Sequence, residues 1–455
     1  MRAASSGTSF GILRSPRARL GVAVAFVCAL ALLGGASRPD EPQQLAIRLA
    51  SVAALVVALW PLDFAPLRRR QAIVVAAFVL ILLPLLQLVP LPAQIWAALP
   101  GHAPYAEIAR LTDTAQWRPL SLTPDLTLDA ALALAPPIAV TILALFLDSL
   151  GRHVLFAALA AAAAASALLG LAQFAAGGET FHLYRVTSED SPVGLLANRN
   201  HQAAFLACAL PLASAYTAYR MRRGDRPEMV IALLLGCAAL LLFGILLTGS
   251  RMGLVLGFIG AVSALYCWRR AGLSLISRRA GHRRLQAAVA GLTLLAMGYA
   301  VMRGGIVHRL AATNFADESR AASFGPMLET ARTFFPFGAG LGSFDAVYRR
   351  FEPDQLLSTI YLNQAHDEPM QLAIEGGVPA LVLLCLFLLW WVWASWRVLR
   401  NSRKANGGGL ALACIASSLI LMLASLVDYP LRTPLLASLF ALACLELARF
   451  RVPSD

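Results

Sequence analysis

Residues 229–251 read MVIALLLGCAALLLFGILLTGSR, an apolar run that carries no charge until Arg251 closes it. About 20 such residues are what a helix needs to cross roughly 30 Å of hydrocarbon. Inside lipid the backbone must satisfy its own hydrogen bonds, so a run of this kind is a helix. Working outward, comparable runs recur along the chain, and the composition agrees with them. Of 455 residues, 58% are apolar and 14% charged, against roughly a quarter charged in soluble domains. A soluble fold of this length would lack the polar surface to cover itself; lipid removes that need.

The reading is an all-α, polytopic integral membrane protein with about 12 transmembrane helices and one large loop. Candidate spans begin at roughly 20–36 and end at 433–448, and include 200–219, 229–248, 252–268, 285–302 and 371–396. The expected organisation is a basic cytoplasmic tail over 1–19, helices 1–9 over 20–302, a large loop over 303–370, helices 10–12 over 371–448 and a tail over 449–455. Arg2, Arg14, Arg17 and Arg19 precede the first apolar stretch, as in a signal peptide. That stretch is long for a signal core and lacks a small-x-small cleavage site, which makes it an uncleaved first helix.

The net charge of +13 is distributed as topology, not as a nucleic-acid surface. Basic residues gather in alternate short segments: Arg68–Arg70, Arg152, Arg220 to Arg226, Arg269 to Arg284, Arg397 to Lys404, and Arg449 with Arg451. The positive-inside rule places those segments and both termini in the cytoplasm and every long loop on the opposite face. Lys404 is the single lysine, a bias with no mechanistic weight. All seven cysteines fall within apolar runs, which argues against disulfides and a zinc site.

Three outer loops stand out, at about 93–128, 177–199 and 303–370. The last is far longer than a connection requires and keeps Phe324, Phe334, Phe335, Phe337, Phe344, Tyr348 and Phe351, a content that predicts ordered packing. Phe324 to Phe335 reads as an amphipathic helix with Pro326 in its first turn, ending at Pro336. Phe324, Met327, Leu328, Ala331 and Phe335 would share its apolar face.

Four constellations on that side can carry chemistry. Thr248-Gly249-Ser250-Arg251 sets an arginine at the seam of two helices, where it serves as a headgroup anchor or binds an anion. Ala365-His366-Asp367-Glu368-Pro369 places an imidazole at the membrane boundary, with Asp367 or Glu368 and Pro369 suited to a helix start. A histidine there is either a satisfied polar side chain or a base near neutral pH. Glu375 follows one to two turns deeper, where a carboxylate needs an arginine or hydroxyl. Asn198-Arg199-Asn200-His201-Gln202 gathers amide, cation and imidazole groups, with helix capping by Asn198 or Asn200 as the bland account. Pro336-Phe337-Gly338-Ala339-Gly340-Leu341-Gly342-Ser343-Phe344 lacks the βαβ context of a dinucleotide loop and predicts a tight turn against the membrane. No HExxH, Walker A or paired-cysteine pattern occurs. A phosphate site with no metal ligand set needs arginines to neutralise charge.

In order, spacing and sidedness these motifs resemble the O-antigen ligase family, which includes lipopolysaccharide O-antigen ligases and related polysaccharide polymerases. The resemblance rests on Ala197 to Ala204, Thr248 to Arg251, Arg320 with the following helix and Pro336 to Gly340, and Ala365 through Glu375-Gly376-Gly377. It implies a GT-C-like membrane glycosyltransferase of the bacterial inner membrane. Such an enzyme moves a glycan from undecaprenyl diphosphate to a lipid A–core or glycan acceptor at the periplasmic face, without a metal or other cofactor. Membrane lipids, and no nucleic acid, would be its further partners. In family terms His366 is the catalytic histidine, while Arg251 and Arg320 hold the diphosphate. Arg199 joins them on charge and position, since many members have proline there; Glu375, Asp367 and His201 are supporting residues. Asp367 stands where asparagine is common, and Pro369 is unusual; both changes bear on the acceptor more than on the reaction.

The chemistry is consistent with the residues. Cleavage beside an anomeric carbon leaves charge on a diphosphate that fixed guanidinium groups stabilise. The attacking hydroxyl needs a base, and a covering loop limits hydrolysis. The alternative within the family is a polymerase. The alternative from another class is a transporter of lipid-linked glycans, which would carry mid-membrane charge and interrupted helices; here the spans hold only Arg48 and Glu375.

Overall fold

One helix with every face occupied organises the bundle. Arg199–Arg222 is buried without a break from His201 to Ala215, and it packs against Arg251–Arg270, Gly408–Ala424, Pro227–Leu247 and Ser149–Ala175. Its Ala, Ser and Cys side chains let neighbouring backbones approach, the usual basis of helix association in lipid. The closest approach uses Gly253 and Gly260: a Cβ on Gly253 would lie 2.5 Å from the Ala203 Cβ, and one on Gly260 would lie 2.6 Å from the Ala207 carbonyl oxygen. The computed structural model describes residues 15–451 except 61–64, 69, 115, 179, 189–190, 274–314, 357–361 and 404–406, with backbone alone for 65–66, 315–321 and 356.

Among the described residues, 7 helices are long and apolar enough to cross a membrane: Pro16–Leu33, Pro42–Leu59, Pro124–Leu145, Ser149–Ala175, Pro227–Leu247, Arg251–Arg270 and Glu368–Asn401. Gln71–Gln87 and Gly408–Ala424 are apolar but shorter. The expected count of about 12 is therefore reached only in part. The central helix opens on Arg199-Asn200-His201-Gln202, which lowers its apolar average, and Pro434–Arg449 has 16 residues. The span expected at 285–302 lies outside the described residues. Among the described residues, strand structure is confined to two paired dipeptides, with Pro90 opposite Pro119 and Leu91 opposite Arg118.

The helices meet at two chemically different ends. At one end basic side chains tie helix termini together. Arg152 bonds Glu446, Arg449 donates to the Ala144 carbonyl, Arg397 to the Phe450 carbonyl and Arg270 to the Leu399 carbonyl. These are arginines that the positive-inside argument places on one side. At the other end the Leu435 amide donates to the Gly34 carbonyl and the Ala197 amide to the Gly35 carbonyl. The constellations singled out from sequence collect there.

Two details of the long loop differ from the sequence expectation. The helix begins at Phe315, so Pro326 lies in its interior rather than its first turn. Its buried face is Ser323, Met327 and Thr330, continued by Phe334 just past its end, while Phe324 and Phe335 are exposed at 53% and 58%. An apolar-only search missed this face because two of its members are small polar residues; Thr330 satisfies its hydroxyl on the Pro326 carbonyl at 2.8 Å.

Glu368–Asn401 is not continuous. Gly377 has φ 57° and ψ −149°, which splits it into a short outer piece and a long apolar piece. The Gly-rich loop fills the break: Val378 N donates to the Pro336 carbonyl at 2.8 Å, Ala339 N to Ile374 at 2.9 Å and Gly340 N to Glu375 at 2.9 Å. The tight turn expected at 336–344 thus packs on a helix break. A Cβ on Gly377 would lie 2.2 Å from the Pro336 oxygen. Gly377→Ala is expected to destabilise by about 1–3 kcal/mol from backbone strain alone, with the clash added. Thermal unfolding of the detergent-solubilised protein measures this, and an unshifted transition would contradict the packed break.

Candidate active site

His366 is the last residue but one before the Glu368–Asn401 helix, and its φ is 52°. A left-handed conformation is uncommon for a residue with a Cβ, although histidine tolerates it better than most. Asp367 caps the helix, its side chain accepting from Met370 N at 2.9 Å, and Pro369 fits the first turn. The cap fixes where the helix starts and the left-handed turn sets the direction of the imidazole.

That imidazole meets a carboxylate no sequence motif singled out. His366 Nδ1 lies 3.3 Å from Asp428 Oδ1, in the connection between Gly408–Ala424 and Pro434–Arg449. His201 Nε2 is 3.6 Å from the same oxygen, and His201 Nδ1 is 3.0 Å from Thr433 Oγ1. Asn200 Nδ2 donates to Asp428 Oδ2 at 2.7 Å, and the Tyr429 amide donates to Oδ1 at 2.9 Å. The Tyr429 ring lies edge-on to both imidazoles, with centroids at 4.8 Å from His366 and 5.2 Å from His201. Burial alone pushes the Asp428 carboxyl up, but the two imidazoles outweigh it and hold the group well below the usual carboxylate range. Asp428 is therefore a fixed anion between two histidines.

The Asn198 side chain accepts from Asn200 N at 2.7 Å and from His201 N at 3.4 Å, so Asn198 is the cap and Asn200 and His201 are released for Asp428. Arg199 is half-buried at the first helical position, and its amide donates to Ser188 Oγ at 3.1 Å. Arg251 is exposed at the first position of its helix, which Ser250 caps. Arg320 lies in the Phe315–Thr333 helix, and its side chain falls outside the described residues.

Glu375 is 1% exposed and has several partners. Its Oε1 accepts from Phe344 N at 3.2 Å and Gln371 Nε2 at 2.9 Å, and its Oε2 pairs with Arg432 Nη2 at 3.1 Å. Sequence reasoning required an arginine or hydroxyl for this carboxylate but did not name Arg432. Gln371 links the pair to the segment before His366 by donating to Gln364 and accepting from Ala365 N at 3.0 Å. Asp428 and Arg432 thus come from one connection, four residues apart, and engage His366 and Glu375 respectively. The one signal in sequence was a polar Asp428-Tyr429-Pro430-Leu431-Arg432 between two apolar runs.

Beside this cluster lies a cavity of about 440 Å³, bounded by the 37–48 region, the Pro124–Leu145 helix pair, Gln364 and the 431–437 segment. Arg48, isolated within an apolar span in the sequence, forms a two-point pair with Asp129 (Nη2–Oδ2 2.9 Å) on its wall.

No curated protein matches the chain. Residues 236–385 match the family model described as O-Antigen ligase, a segment holding the Arg251 corner, the Gly-rich loop, His366 and Glu375. The resemblance drawn from the motifs and this match agree: over residues 236–385 the chain is similar to the O-antigen ligase family.

Proposed function

We propose that this chain transfers a glycan from undecaprenyl diphosphate to a lipid A–core or glycan acceptor, at the periplasmic face of the bacterial inner membrane, with His366 as general base. The observation that carries the proposal is the fixed Asp428 anion 3.3 Å from His366 Nδ1. A proton on Nδ1 directed at that carboxylate leaves Nε2 with its lone pair, the form a base requires. The acceptor hydroxyl gives its proton to Nε2 as its oxygen bonds the anomeric carbon. The bond from that carbon to the phosphate oxygen breaks, and the carrier leaves as undecaprenyl diphosphate.

Arg251 and Arg320, with Arg199, would hold the leaving diphosphate, whose growing charge fixed guanidinium groups stabilise in a partly dehydrated site. No metal ion takes part in this scheme. Residues 303–370 would form the periplasmic loop over the site, and both termini would be cytoplasmic. Arg251→Ala and Arg320→Ala are each expected to lower transfer by about 10²–10³-fold, with abundance unchanged. The measurement is in vitro transfer from purified carrier-linked glycan, and wild-type rates in both would remove the arginines from the donor site.

A broken helix is also what a transporter of lipid-linked glycans would use. At Gly377, however, the freed backbone groups are bonded to the Gly-rich loop of the same chain. That favours a structural break over a substrate-coordinating one.

A further inference from the structure

The cavity beside His366 is a site of its own chemistry. Its wall carries Arg38, Arg48 and Arg432 together with Asp40, Asp129 and Asp345, three cations against three anions. The charges are matched locally as well as in sum. Arg38 grips Asp40 through two bonds of 3.0 Å, Arg48 grips Asp129, and Arg432 is paired with Glu375 behind the wall. Asp345 is held by Arg349 at 2.8 Å and 3.0 Å.

A diphosphate is a poor occupant for such a wall. Phosphate oxygens only accept hydrogen bonds, and here every guanidinium is already neutralised by a carboxylate that would repel them. A hydroxyl donates and accepts at once. Paired guanidinium and carboxylate groups offer both functions side by side, and Asn363 and Gln364 add two amides that do the same. Leu126, Leu134, Pro137 and Leu431 supply apolar wall for the C–H face of a ring. The volume lies within the roughly 300–1,000 Å³ of small-molecule sites. Gln364 is two residues before His366, and Arg432 reaches Glu375, so the cavity adjoins the proposed reaction centre.

We infer that this cavity is a subsite for an uncharged sugar ring of the glycan substrate, distinct from the place that holds the diphosphate. The inference rests on the transferase reading for the identity of the glycan, and the ring belongs either to the donor or to the acceptor.

The test uses the full chain in lipid nanodiscs with Asn363→Ala and, separately, Asp129→Asn. Three probes are used: bare undecaprenyl diphosphate, the carrier-linked glycan from the same strain, and deacylated core oligosaccharide from its lipopolysaccharide. Binding is read without turnover, in a His366→Ala background. Both variants should bind bare undecaprenyl diphosphate as the parent does, while a glycan-bearing probe weakens about tenfold, the worth of one hydrogen bond. Weakening confined to the carrier-linked glycan assigns the ring to the donor; weakening confined to the core oligosaccharide assigns it to the acceptor. Unchanged affinity for both glycan probes overturns the subsite, and so does an equal loss for the bare carrier, which would make the cavity an anion site. A wild-type chain that binds these probes through the cavity but never transfers would sink the transferase reading and leave the subsite standing.

Discussion

His366→Ala, expressed in a deletion strain, is expected to abolish glycan transfer while leaving insertion and abundance intact. General base catalysis contributes about 10²–10⁴-fold, and a loss of that size on a pathway flux reads as no product. The structural cost should be small, since the Asp367 cap and Pro369 start the helix without the imidazole, and alanine must only keep the 52° φ. Glycan profiling of the membranes resolves the outcome. Full-length chains accumulating on the carrier identify a ligase, and single repeat units identify a polymerase. Full complementation by an abundant His366→Ala protein would falsify the catalytic role.

Asp428→Asn is the companion to that experiment. Asparagine keeps the shape but removes the anion that fixes the imidazole, and the expected loss is again about 10²–10⁴-fold. Its carboxyl is held below the ordinary value by His201 and His366 against the upward push of burial. The sign of the pH dependence follows. A depressed carboxylate contributes stability in full above its unfolded pKa of about 3.9, and loses it only as pH falls through the lower folded value. An activity loss at a pH well above that range is therefore expected to come from a group other than Asp428. Wild-type transfer by an abundant Asp428→Asn protein would contradict the role of the anion.

Glu375→Ala is expected to cost about 3 kcal/mol of stability or more, toward the lower end for breaking a buried ion pair, because Arg432 is 25% exposed. The substitution removes the acceptor of the Phe344 amide and of the Arg432 guanidinium and one of the two acceptors of the Gln371 side chain. It also removes a junction where the long loop, the Glu368–Asn401 helix and the 430–432 turn are tied together. Glu375→Gln keeps the shape and should recover much of the loss. Thermal unfolding in detergent measures both, and a Glu375→Ala midpoint equal to wild type would show that Glu375 does not hold the junction.

The sequence by itself determined the class of the molecule. Hydrocarbon thickness and the cost of an unsatisfied backbone leave an apolar run such as 229–250 no alternative to a helix. It also determined much of the local chemistry around His366, because caps and helix starts depend on neighbours within a few residues. Pro369 in the first turn was legible in this way, and the helix starts were narrowed to Asp367 or Glu368 and to Asn198 or Asn200, of which the structure selects Asp367 and Asn198 as caps. The buried face of the loop helix was not, since Ser323 and Thr330 are small polar residues, Thr330 satisfied by the Pro326 carbonyl, and leave no hydrophobic period.

Only the tertiary structure decided who pairs with whom. Glu375 announced a need for a cation, yet nothing within a helical turn supplies one; Arg432 comes from 57 residues away. Asp428 looked like an ordinary residue of a short connection until folding set it against His201 and His366. Likewise Arg48 looked like an isolated charge in a span until Asp129, 81 residues on, neutralised it at a cavity wall. Burial makes each unpaired charge costly, so the fold must bring partners together; which partner arrives depends on how the helices pack, and a linear pattern does not encode that locally.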